Sequence, residues 1–204
     1  HAAMALKDAL FLVFVIPIFY FINTIVFFAI REHAIAERYI FPHVGRFLGL
    51  KVQQIPLATL GASFLIALLS FYPALFVRSA RTRLNNKNPR NDRATTGVEG
   101  RLWGAHVNSN ESFMYFAVAV LLALQSNVAP ALLAPVCAMH LVWRVLFHVF
   151  YFLNIPTLRG VAYGNGVLCI MAIFLLCLCP HALEPLQAAA LSVPRALQQH
   201  APGL

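Results

Sequence analysis

Charge is what this sequence has least of. Only 11% of its 204 residues are Asp, Glu, Lys or Arg, while 60% are hydrophobic; an ordinary soluble domain carries roughly 25% charged residues. Acidic residues are scarcer still, seven against fifteen basic ones. So thin a supply of charge cannot solvate a surface, which excludes a soluble globular domain. Cysteine is sparse too. Cys137, Cys169, Cys177 and Cys179 all lie inside apolar runs and no pair has zinc-site spacing, so they read as small buried hydrophobes rather than a disulfide framework or a metal centre. An internal repeat, a Gly-rich phosphate loop and a nucleophile elbow are all missing, which sets aside the architectures that depend on them.

What the chain does have is long apolar runs. Seventeen Phe are more apolar aromatic surface than a soluble core of this size hides. The runs predict five transmembrane helices, at about 9–30, 55–77, 98–125, 128–153 and 158–179. Each approaches or exceeds the roughly 20 residues that a helix needs to cross the hydrocarbon layer, where every peptide group must be satisfied internally. Pro56 suits a first helical turn, and the short link Asn154-Ile155-Pro156 forces the last two spans into an antiparallel hairpin. The formal charge of +8 sits between the apolar runs, so it speaks for membrane topology and not for nucleic acid. The segment 78–101 holds Arg78, Arg81, Arg83, Lys87, Arg90, Arg93 and Arg101 against only Asp92 and Glu99. That excess places it in the cytosol, or in the matrix or stroma of an organelle, with the N-terminus on the same side. The chain begins at His1 rather than Met, which fits either a truncated chain or a removed presequence. The second would suit a mitochondrial or plastid membrane, or a secretory route.

Polar residues inside the spans are expensive, so their spacing carries information. Arg101, Gly104, Asn108, Glu111 and Tyr115 on the third span recur every three or four residues and share one helix face. His140, Arg144, His148 and Tyr151 on the fourth do the same, and Arg159 and Tyr163 lie one turn apart on the fifth. At about 100° per residue these faces are expected to pack inward on one another or against a neighbouring subunit. Glu111 and Arg144 are the expected buried ion pair, since neither charge is tolerable alone in hydrocarbon. The histidines His106, His140 and His148 lack the spacing and the companion ligands of a metal site.

The ordered set of motifs resembles one family, the membrane-associated proteins in eicosanoid and glutathione metabolism (MAPEG). It consists of Asn88-Pro89-Arg90, then Arg101, then Ala105-His106-Val107-Asn108-Ser109-Asn110-Glu111. Arg144 follows, with Tyr151 two turns on, and Leu158-Arg159 opens the last helix with Tyr163 beyond. The resemblance implies an all-α membrane bundle of four helices over 55–180. To this are added an extra N-terminal span and linker (1–54) and a tail (181–204). It also implies a homotrimer with glutathione bound between subunits. In that reading Arg101, His106, Asn108, Glu111, Arg144 and Tyr151 hold glutathione, while Arg159 and Tyr163 act on its thiol. The thiolate would attack a lipophilic electrophile or hydroperoxide arriving from the bilayer. The sequence departs from glutathione-binding members such as prostaglandin E synthase at Gly104 and Val107, where they carry additional arginines, and at Gly160, where that relative has a hydroxyl. Those losses imply weaker binding. An added helix that lines no site, and a tail from Gln187 with little to fold around, imply instead a docking element and partner proteins. Two classes of function therefore stand side by side: a glutathione-dependent membrane transferase or peroxidase, and a non-catalytic subunit of a larger membrane complex. A lipid- or quinone-binding helper comes third.

Overall fold

The computed structural model describes residues 49–81 and 96–178. The expected span 9–30, most of its linker, the Asn88-Pro89-Arg90 loop, Cys179 and the tail from 181 lie outside the described residues. The described chain is helical: one turn at Val52–Gln54, then α1 (Ile55–Leu69), α2 (Phe71–Arg81), α3 (Gly97–Gln125), α4 (Pro130–Phe152) and α5 (Pro156–Leu178). Four stretches are long and apolar enough to cross a membrane: Val52–Arg81, α3, α4 and α5.

The first of these stretches is two helices, where the apolar pattern suggests one. Pro73 has no N–H to offer the Leu69 carbonyl, and its ring crowds that oxygen. The helix breaks at Ser70 as a result. Ser70 itself stays tied to the preceding turn: its backbone N–H donates to the Ile66 carbonyl at 2.9 Å and its hydroxyl donates to the Ala67 carbonyl at 2.7 Å.

One device ends both α3 and α4. Asn127 and Asn154 take the left-handed conformation, with φ of 55° and 56°, which asparagine tolerates better than most residues. The backbone N–H groups of the next residues then reach back, Val128 to Ala123 and Ile155 to Phe150, both at 3.0 Å. A proline follows at once or after one residue and starts the next helix, where its missing N–H is not needed. Two turns built this way fold α3, α4 and α5 into an antiparallel bundle.

α4 and α5 make the most extensive pairing; α1 lies against α3 and α4, and α2 against α3. The bundle has two unlike halves. Phe116, Val120, Ala123, Leu133, Val136, Cys137, Ile170 and Ile173 form an apolar core towards the α3–α4 turn. Lipid is as apolar as these side chains, so their burial supplies little driving force, and close packing must do more. Ala119, Ala123, Ala134 and Ala162 are fully buried and let the helix backbones approach. The other half, around the start of α3, the end of α4 and the start of α5, is polar. Outward, Leu57, Leu65, Leu68, Val118, Leu121, Val145 and Leu175 are exposed and form a lipid-facing belt.

Candidate functional site

The buried row of α3 runs Leu102, Ala105, Ser109, Ser112, Phe116. The polar row Arg101, Gly104, Asn108, Glu111, Tyr115 is the same row shifted by one residue, about 100° around the helix. It therefore does not face the core. Arg101, Gly104 and Asn108 are half-buried at the edge of the bundle, while Glu111 and Tyr115 are exposed.

This shift overturns the expected Glu111–Arg144 pair. Arg144, only 3% exposed, turns to Asn108 and Ser109 instead. One terminal nitrogen donates to Asn108 Oδ1 at 3.0 Å and the other to Ser109 Oγ at 3.2 Å. Glu111, about one turn beyond Asn108 on the same row, is exposed and makes no ion pair with Arg144 among the described residues. The guanidinium is thus solvated by neutral oxygens, each bond to a charged donor being worth about 1.5–3 kcal/mol.

From Arg144 a line of rings leads to Arg159. The Arg144 guanidinium stands 4.3 Å from the Phe147 ring centroid. Phe147 meets Tyr151 at 4.8 Å and 67°, and the Arg159 guanidinium stands 4.4 Å from the Tyr151 ring centroid. Phe147 also lies 6.3 Å from Tyr163, which itself is 42% exposed. The two cation contacts and the edge-to-face Phe147–Tyr151 pair are arrangements that aromatic quadrupoles favour. Gly104 closes the row from α3. A Cβ added there would sit 3.4 Å from the Tyr151 hydroxyl, in van der Waals contact, so Tyr151 lies close against α3 at this position.

Of the residues singled out in the sequence, Asn108, Arg144, Tyr151 and Arg159 come together, with Tyr163 beside them and Arg101 one turn along on the face of α3. Arg101 Nε is buried and has no hydrogen-bond partner among the described residues. His106 is elsewhere. It lies 2.9 Å from Ser70 Oγ, with its ring edge-on to Phe71 and Trp103, on the side of α3 that meets α2. His148 instead lies 2.8 Å from Ser109 Oγ. Sequence reasoning missed Ser109 and Phe147. Phe147 falls between Arg144 and Tyr151 at helical spacing, a signal that an apolar residue type concealed. Ser109 belongs to the row of small residues that marks the buried face.

The family model for MAPEG matches residues 55–179, which takes in all four described spans. The chain belongs to the MAPEG family. No curated protein and no solved structure matches it. As a MAPEG protein it is an integral membrane protein, of a family named for glutathione and eicosanoid metabolism. Three of its arginines, Arg101, Arg144 and Arg159, offer planar donors for carboxylates. Glu111 is the exposed acid on the same face of α3, and the rings between the arginines keep the guanidinium groups apart.

Proposed function

We propose that this MAPEG protein binds glutathione along the polar edge of α3 and uses its thiolate on lipophilic electrophiles. The observation that carries the reading is Arg159, half-buried in the first turn of α5 and seated over Tyr151. A fixed guanidinium at a helix N-terminus is the environment that favours a thiolate over a thiol. Arg101 is placed to meet a glutathione carboxylate, Asn108 a peptide group and Glu111 the ammonium, with Tyr163 as a second donor to sulfur. The thiol proton leaves to solvent. The sulfur lone pair then forms a C–S bond to the electrophilic carbon, whose leaving group departs with the displaced electron pair.

Glu111 and Tyr115 are exposed on a helix that spans the membrane, and hydrocarbon does not tolerate a bare carboxylate. A second copy of the chain covering this face, as in a homotrimer, would bury both and complete the pocket. The test is conjugation of glutathione to a chlorodinitrobenzene by the full chain in lipid nanodiscs. The wild type should accelerate the reaction and Arg159→Ala should return it to the uncatalysed rate. A wild type no faster than empty nanodiscs would end the catalytic reading.

A second reading, a non-catalytic subunit of a larger membrane complex, draws on Gly104. The Tyr151 hydroxyl occupies the space into which a longer side chain would project there, so a cation is replaced by a packed ring. Purification in mild detergent followed by mass spectrometry separates the readings: stoichiometric foreign membrane subunits favour this one, and a homo-oligomer favours the first.

A further inference from the structure

On the inner side of Arg144, polar atoms without partners gather at one small cavity. His140 is fully buried, 0% exposed, with its ring stacked on Phe116 at 4.0 Å and 12°. Its Nδ1 lies 3.1 Å from the Gly166 carbonyl oxygen. A carbonyl only accepts, so Nδ1 carries the proton, and in a neutral imidazole Nε2 is then a bare acceptor. Nε2 has no partner among the described residues. The hydroxyl of Ser63 on α1, a residue 5% exposed, has none either. Both residues line a cavity of about 10 Å³ together with Ser109, Ser112 and Arg144. Two unpaired polar groups around one void are rare in native interiors, because each forfeits its hydration without return.

We propose that this cavity binds a single water molecule, held by His140, Ser63 and Arg144, and that the water fixes the Arg144 guanidinium from within. The volume is close to the least that admits one water, and the site offers the two to four polar partners that a buried water needs. The bonds balance. The water donates one hydrogen to His140 Nε2 and the other to a lining serine oxygen. It accepts from the Ser63 hydroxyl and from a guanidinium N–H; Asn108 and Ser109 engage only two of the five available. Other occupants fit less well. A cation would meet the Arg144 charge, and an anion would meet the lone pair of His140 Nε2. Only a small neutral molecule that both donates and accepts satisfies the lining. The water joins α1 to α4 at the level of Ser63 and His140, and Arg144 is held between it and the Asn108–Ser109 pair. Ser63 and His140 thereby become positioning residues for Arg144, whether or not the outer face binds glutathione.

The test uses the full chain, labelled with ¹⁵N-histidine and ¹⁵N-arginine, in lipid bilayers and read by water-edited solid-state NMR. The His140 signal is assigned by its loss in His140→Phe. The wild type should show a neutral ring protonated at Nδ1, magnetisation transfer from water to Nε2, and separate signals for the two terminal nitrogens of a locked Arg144. Ser63→Val fills the cavity with a methyl group and should abolish the water transfer and merge the Arg144 signals. The wild-type spectrum decides alone should that variant not fold. A ring protonated at Nε2, or no transfer from water to His140, would overturn the site. Arg144 signals that stay separate after the water is lost would overturn its positioning role.

Discussion

Arg144 and Glu111 show what spacing reveals at the scale of single residues and what it conceals. Their similar depth in the membrane is legible in the sequence, and so is the need for each charge to find a partner. The partner itself is not. Asn108 and Glu111 both belong to one polar row, set about 100° from the buried one, and only its Asn108 end borders the core. The buried row holds Ser109 and Ser112 beside Ala105, so small polar residues, and not the charged ones, marked the inward face. A direct comparison follows. Asn108→Ala removes one acceptor from a buried cation and should cost about 1.5–3 kcal/mol in equilibrium unfolding. Glu111→Gln, at an exposed position, should change the unfolding free energy of the bundle by less than about 0.5 kcal/mol. Equal losses from the two variants would restore the Glu111–Arg144 pair.

At the scale of elements, apolar run length located the four described spans to within a few residues, because the bilayer sets a minimum that few other constraints disturb. The break at Ser70 escaped, although Pro73 stands in plain view. An apolar run reads the same whether it is straight or interrupted, and a proline in a membrane helix is tolerated often enough to be uninformative. The turns were more legible. Asn154-Ile155-Pro156 announces a hairpin, and the structure supplies the reason in the left-handed asparagine. At Asn154, with φ of 56°, a β-branched side chain clashes with its own backbone. Asn154→Val should therefore cost about 1–2 kcal/mol in thermal or chemical unfolding, while Asn154→Gly should cost far less. An unchanged stability in Asn154→Val would mean that the turn does not need its left-handed residue.

For the whole molecule, family and membrane character were legible from an ordered set of motifs and from the scarcity of charge. What the polar face of α3 meets was not, because one sequence does not describe the surface that a second chain brings. With Glu111 on it the face is too polar for lipid, and its Glu111–Tyr115 end is not covered by the other described helices. Tyr115→Cys should accordingly react slowly with a maleimide in mild detergent and quickly once the assembly is dissociated. Leu65→Cys on the apolar outer face of α1 should react alike in both states. Equal rates at position 115 before and after dissociation would leave that face exposed to the membrane, and the intersubunit pocket would fall with it.

Everything proposed for that pocket depends on Arg159 holding a thiolate. The direct measurement is the ultraviolet difference spectrum of the full chain in nanodiscs titrated with glutathione, for the wild type beside Arg159→Ala. On the proposed reading, the absence of cations at Gly104 and Val107 weakens binding, each lost charge-assisted bond costing about 1.5–3 kcal/mol. The wild type should therefore develop thiolate absorbance that saturates only in roughly the millimolar range, and Arg159→Ala should develop none. A wild type without that absorbance, or an Arg159→Ala variant that matches it, would contradict the account.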